Sequence, residues 1–89
     1  MLPKGKHGSR TVELSGGPVE VHSLTVTQSH IAARLQDEER AVASISFACR
    51  VDKEAARSWL AEAPAGDGVK LLNAIAEVSG LVEGASFQQ

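Results

Sequence analysis

A few residues in this sequence carry groups that could do chemistry, and Cys49 is the first of them. Beside a histidine base, a cysteine thiol can act as a nucleophile. The histidines are His7, His22 and His30, and no two of them have the i, i+4 spacing that places two zinc ligands on one helix face. Cys49 itself lies in an apolar helical stripe, where a buried thiol stays protonated. We therefore interpret Cys49 as a small core residue and expect neither a catalytic thiol nor a metal site.

Two further segments resemble functional motifs but lack their context. GKHGSR, residues 5–10, contains the glycines and the lysine of a phosphate-binding loop, but their order is wrong and the segment precedes a predicted strand. The run Asp37-Glu38-Glu39 could supply paired carboxylates, but the positive N-terminal end of a helix explains it without catalysis. We expect no enzymatic activity, no cofactor and no small-molecule substrate.

Charge and aromatic content argue against nucleic acid as a partner. Residues 1–10 contain Lys4, Lys6 and Arg10 and no acid, whereas the remainder has six bases and eleven acids. Such an acidic body lacks the positive surface that phosphate binding needs. With two Phe, one Trp and no Tyr, the chain also has no aromatic platform for stacking bases.

Length and composition indicate one soluble domain. Eighty-nine residues suffice for a single core, which must be built from Ala, Val, Leu and Ile. No apolar run reaches the ~20 residues that span a bilayer, and a single cysteine excludes an internal disulfide, as is usual in the cytoplasm. We expect a flexible basic leader over residues 1–10, one domain over 11–83 and a frayed tail over 84–89, in a cytoplasmic protein without membrane contact.

The segment TVELSGGPVEV predicts a β-hairpin. Four apolar residues alternate with polar ones on either side of a Ser-Gly-Gly-Pro loop: Val12, Leu14, Val19 and Val21. Pairing Leu14 with Val19 places these four side chains on one face. The same register sets Glu13 against Glu20, a like-charge pair that Arg10 could relieve. A lone hairpin is marginally stable, so its apolar face needs helices against it.

Helical spacing and capping residues predict four helices after the hairpin. Thr25 and Gln28 form a capping box at the start of the first helix, which ends near Gln36. The second helix covers residues 38–50. Asp52 caps the third, which stops before Pro64. The fold class is therefore α+β, with an N-terminal hairpin packed on a small bundle of about four helices.

The fourth predicted helix has an unusually wide apolar face. Asp67 is its expected cap, and Gly80 is expected at the left-handed position that ends it, with Leu81 folding back on the last turn. Lys70, Asn73 and Glu77 leave only a narrow polar strip, so we expect burial from two sides.

Five apolar residues are the candidates for partner binding. Phe47 and Val51 lie off the apolar stripe of the second helix, and Trp59 is the only tryptophan of the chain. Leu72 and Ile75 belong to the wide face of the fourth helix. Each of these residues lies either in the core or at a partner surface.

The order of these segments resembles a known family. A hairpin leads into VHSLTVTQ, a helix containing ASISFAC follows, and the last helix closes on Ser-Gly-Leu. This order is similar to that of the tail assembly chaperones of long-tailed bacteriophages and prophages. The similarity is strongest over Val21–Gln28 and Leu71–Leu81 and covers roughly residues 11–83.

The resemblance implies a non-enzymatic role in virion assembly. Such chaperones bind the tape measure protein, help to recruit tail tube subunits around it, and are absent from the mature virion. Many relatives also make a longer, frameshifted form, and this chain would correspond to the short one. The apolar fourth helix additionally makes self-association an open expectation.

Two other functions remain open at this point. A small phage structural protein such as a head–tail connector would stay in purified particles, unlike a chaperone. A small DNA-binding regulator would use the third and fourth helices as a helix-turn-helix, but the polar strip at Lys70, Asn73 and Glu77 is too short to read bases and hold phosphates.

Overall fold

The computed structural model describes residues 8–80 and confirms the predicted α+β fold. A two-stranded antiparallel hairpin precedes four helices. The elements are β1 Ser9–Leu14, β2 Gly17–His22, α1 Val26–Arg34, α2 Asp37–Cys49, α3 Lys53–Glu62 and α4 Ala65–Val78. The expectations for residues 1–7 of the leader, for Leu81 and for the tail at 84–89 lie outside the described residues.

The hairpin forms with a tighter turn than predicted. Leu14 pairs with Gly17 and Val12 with Val19, so Ser15 and Gly16 alone make the turn. Gly17 adopts φ 132°, a conformation that residues with a side chain rarely take, and this allows the strand to begin immediately after the turn. The predicted pairing of Leu14 with Val19 is therefore wrong by two residues.

The shifted register changes the pairs but preserves the two faces of the hairpin. Because side chains alternate with a period of two, a shift of two residues keeps the apolar set together. Val12 and Val21 are buried beneath the sheet. Glu20 faces Thr11, so the predicted clash with Glu13 is wrong, and Arg10 pairs instead with Glu77 of α4.

Pro18 fits in β2 because a backbone N–H at its position would not bond to the neighbouring strand. The Ser23 N–H donates to the Gly8 carbonyl at 3.0 Å, and hydrogen-bonded pairs alternate with non-bonded pairs along an antiparallel ladder. Pro18 faces Glu13 at one of the non-bonded pairs. Its missing N–H therefore removes no hydrogen bond from the sheet.

The predicted caps of α1 and α3 are confirmed. Thr25 Oγ1 accepts from the Gln28 N–H at 3.0 Å, and Gln28 Oε1 accepts from the Thr25 N–H at 3.0 Å, which completes the capping box. Asp52 Oδ1 accepts from the Ala55 N–H at 2.8 Å. These side chains satisfy backbone donors that have no partner within the helix.

Asp67 does not cap α4, contrary to prediction. The helix begins at Ala65, with Pro64 at the cap position, so Asp67 falls within the first turn. Its carboxylate is bound to the hairpin turn: Oδ2 accepts from the Ser15 hydroxyl at 2.5 Å and Oδ1 from the Ser15 N–H at 3.3 Å. Asp67 thus ties the hairpin to the start of α4, where a negative charge also suits the helix dipole.

One core joins the hairpin to the inner faces of α2, α3 and α4. Its buried members are Val12, Val21, Val42, Ile45, Ala48, Ala56, Leu71, Ala74 and Ile75. α1 packs on α2 instead, and the buried Ala32 and Ala43 lie apart from this cluster. The expectation that the wide face of α4 is covered from both sides fails at Val69, which is 60% exposed. Gly80 has the predicted left-handed conformation, at φ 75°.

Candidate functional site

An apolar groove of about 260 Å³ opens between β2, α2 and α3. Its lining residues are Val19, Ile45, Cys49, Val51, Ala55, Ala56, Trp59 and Leu71. Ile45, Ala56 and Leu71 are buried and form the floor, whereas Val51 and Ala55 are exposed. Among the described residues, none of those that line the groove is charged, so it is a place for apolar groups.

The corner between α2 and α3 builds one wall of the groove. Arg50 ends α2 in a left-handed conformation, with φ 60° and ψ 44°. The next residue, Val51, is held by Ser46, whose carbonyl accepts from the Val51 N–H at 3.2 Å and whose hydroxyl donates to the Val51 carbonyl at 2.6 Å. This clamp fixes the Val51 backbone, and the Val51 side chain lines the groove, as does that of Cys49. The cap at Asp52 then starts α3.

An ion pair connects the far side of α3 to α2. Arg57 Nη1 lies 2.6 Å from Glu39 Oε2, and Nη2 lies 3.4 Å from Oε1. The hydrogen bond from Arg57 lowers the pKa of Glu39, and the same bond raises the pKa of Arg57. Both side chains are about half exposed, so the pair orients α3 more than it stabilises the fold.

The structure brings together two of the five predicted partner-binding residues. Val51, which is 40% exposed, and the half-buried Trp59 both line the groove. Ile75 is only 2% exposed and belongs to the core, so it stabilises the fold and presents no surface to a partner. Leu72 is half-buried against that core. Phe47 is half-buried on α2 and is not among the residues packed on the core cluster.

Cys49, which the sequence analysis interpreted as a core residue, lines the groove. Its side chain is half-buried and lines the groove, and its thiol is free. Burial raises the pKa of the thiol, so it stays protonated as expected. The helical spacing of Ile45 and Cys49 predicts that both lie on one face of α2. The opposite wall depends on the left-handed conformation of Arg50, and no residue pattern in the sequence predicts that conformation.

Two more depressions border the hairpin. One, of about 250 Å³, lies between the hairpin turn and the start of α4 and shares Val19 and Trp59 with the apolar groove. The other, of about 310 Å³, is polar and lies between β1 and the polar strip of α4. Arg10 and Glu77, two of the four charged residues that line this polar depression, form an ion pair with each other.

The described residues offer neither a metal-binding cluster nor a membrane-spanning helix. Within residues 8–80, no cluster of three or more His, Cys, Asp and Glu side chains is arranged to hold a metal ion. No helix in the same range is long and apolar enough to cross a membrane. Comparisons with protein-family models, curated proteins and solved structures find no match for this chain.

Proposed function

We propose that this protein is a tail assembly chaperone of a long-tailed bacteriophage or prophage. In this role it binds the tape measure protein in the host cytoplasm, helps to recruit tail tube subunits, performs no enzymatic reaction and is absent from the mature virion. The observation that carries the proposal is the apolar groove, which is lined by Val51 and Trp59. The resemblance in segment order supplies the identity of the partner.

The groove suits a helical partner with an exposed apolar face. A tape measure protein is a long helical chain, and its apolar side chains need cover until tube subunits surround them. Burying one Leu or Phe side chain in the groove would contribute about 1.5–3 kcal/mol. Trp59 provides the large, half-buried aromatic contact that often dominates binding surfaces.

The genes around this one test the identity of the partner. We expect a slippery heptamer near the last codons, an overlapping second frame and a very long helical reading frame downstream. Neighbouring genes for metabolism or regulation would contradict the proposal. Proteomics of purified particles adds a second check, because a chaperone leaves the virion and a head–tail connector remains in it.

Co-purification with the downstream helical protein tests the groove itself. Val51→Asp places a charge in the groove, whereas Val69→Asp places the same charge on an exposed part of α4 outside it. Both valines are exposed, so both variants should keep the wild-type circular dichroism spectrum. We expect Val51→Asp to lose the partner and Val69→Asp to retain it. Equal retention by the two variants would show that the partner binds elsewhere.

Phe47→Ser provides a separate test of the surface of α2 outside the groove. We expect this variant to stay folded and to bind the partner more weakly, because Phe47 is half-buried and lies outside the residues packed on the core. Unfolding of Phe47→Ser would show that the side chain belongs to the core and that this part of the partner surface is misplaced.

A further inference from the structure

We infer that the outer edge of β1 binds a segment of another protein in extended conformation, which adds to the hairpin as a third strand. This edge is separate from the apolar groove, so the binding mode goes beyond the proposed function and neither depends on the other. The unpaired backbone groups of β1 and the polar depression beside them support it.

β1 presents a row of backbone groups that β2 does not use. Ser9, Thr11 and Glu13 lie at the non-bonded pairs of the ladder, so their N–H and C=O groups point away from β2. Within residues 8–80, the backbone groups of Thr11 and Glu13 have no hydrogen-bond partner. Donors and acceptors that alternate along a strand edge match those of a second extended chain.

The opposite edge of the hairpin is blocked by proline. There the outward-facing residues of β2 are Pro18, Glu20 and His22, and Pro18 has no N–H to donate. Proline on an edge strand is one of the features that prevent pairing with another chain. β1 contains no proline, so all the donors along its edge remain. The hairpin is therefore open to strand addition on the β1 side.

The polar depression of about 310 Å³ lies along this edge, so α4 leaves the edge open. Residues 10–13 of β1 bound it on one side and α4 on the other, with the nearly buried Val12 and Ala74 between the polar residues. An added strand turns one face toward these two apolar side chains and the other toward solvent, which favours alternating apolar and polar residues. The charged lining residues are two bases and two acids, so the site selects no net charge: Arg10, Lys70, Glu13 and Glu77.

A second copy of this chain does not fit the edge. α4 packs mainly on β1, and its polar strip forms the far wall of the depression. Pairing two β1 edges would place two α4 helices beneath strands about 4.8 Å apart, whereas packed helices need about 8–10 Å between their axes. A single extended segment brings no helix with it, so a segment of another protein is the occupant that the edge accommodates.

Amide hydrogen exchange of the wild-type protein, measured by NMR, tests this binding mode. The probe is an uncharged peptide of about eight residues, capped at both ends, in which Thr and Val alternate. At a peptide concentration about ten times the Kd, the Thr11 and Glu13 amides should exchange about tenfold more slowly. The Glu20 amide lies on the opposite edge and should exchange at an unchanged rate. The same peptide with methylated amide nitrogens should protect neither amide, because it cannot donate to the edge.

Two matched proline substitutions assign binding to one edge. Thr11 and Glu20 face each other at a non-bonded pair, so Thr11→Pro and Glu20→Pro each remove an outward N–H and no hydrogen bond of the hairpin. Pro18 already occupies such a position, so both variants should fold. We expect Thr11→Pro to lose the peptide and Glu20→Pro to bind it as the wild type does.

Three results would overturn the inference. The first is equal binding by the two variants, and the second is no protection of Thr11 in the wild type, which decides the question even if Thr11→Pro does not fold. The third is protection of Thr11 that appears without peptide and grows with protein concentration, because a second copy would then be the occupant. None of these results bears on the apolar groove.

Discussion

Replacing Arg50 with glycine should stabilise the protein. Arg50 has φ 60° and ψ 44°, close to the centre of the left-handed region. A residue with a Cβ pays about 1–2 kcal/mol in this region because the Cβ approaches the following carbonyl oxygen. Glycine avoids this strain, but it loses more backbone freedom on folding, at a cost of about 0.5–1 kcal/mol. Taking the middle of each range, we expect Arg50→Gly to raise the free energy of unfolding by about 0.75 kcal/mol.

The effect is measurable in a domain of this size. For 60–100 residues, each kcal/mol changes Tm by about 4–8 °C, so we expect an increase of about 3–6 °C. Urea unfolding followed by circular dichroism should show a higher midpoint and an unchanged slope. The Ser46 contacts to Val51 use backbone atoms and a hydroxyl that the substitution leaves in place.

Arg50→Ala is the matched control, because it removes the same charge and keeps a Cβ in the left-handed conformation. This variant should be no more stable than the wild type. If Arg50→Ala and Arg50→Gly unfold at the same denaturant concentration, backbone strain at Arg50 does not contribute to stability.

Three further perturbations have defined outcomes. Ile75→Ala should lower the free energy of unfolding by about 2–5 kcal/mol, because the side chain is 2% exposed in the core; a smaller loss by urea unfolding would place Ile75 outside it. Thr25→Ala should lower the free energy of unfolding by about 1 kcal/mol, because it removes the cap of α1. Hydrogen exchange should become faster in α1 alone, since α1 packs outside the core cluster. Faster exchange throughout α4 would contradict this. Arg57→Gln should raise the pKa of Glu39 toward its ordinary value in an NMR titration, because Arg57 is the main group that lowers it; an unchanged pKa would contradict this.

The lowered pKa of Glu39 also makes the stability of the fold depend on pH. The pKa of Glu39 is lower in the folded protein than its ordinary value, so the carboxylate favours folding at pH values above that ordinary pKa. This contribution is lost as the pH falls through the lowered value. Acid unfolding of Arg57→Gln should therefore show less of this pH dependence than the wild type, and added salt should weaken it in the wild type.

Local sequence signals predicted the elements of the fold and most of their ends. The capping box at Thr25, the cap at Asp52 and the left-handed Gly80 each depend on neighbouring residues, so a short window contains the needed information. The alternation of apolar residues likewise gave the correct face of the hairpin, because the face depends only on a period of two.

Features that depend on tertiary contacts were predicted less well. The register of the hairpin follows from the conformation of Gly17, and Ser-Gly-Gly-Pro admits more than one turn. The local sequence predicts that Asp67 caps α4, but its carboxylate binds Ser15 in the folded chain. Residue type also gives no hint of the left-handed Arg50, because glycine is the usual residue there. Since Arg50 shapes the wall at Val51, the groove itself could not be predicted.

A helical partner is proposed to bind in the apolar groove, and NMR mapping of the binding surface would show whether it does. The isotope-labelled protein would be titrated with a soluble fragment of the downstream helical protein, and backbone and indole shifts would be followed. We expect the largest changes at Cys49, Val51, Ala55 and the Trp59 indole. Changes confined to the exposed Val26 of α1 or to the outer face of the hairpin, with the groove unaffected, would contradict it.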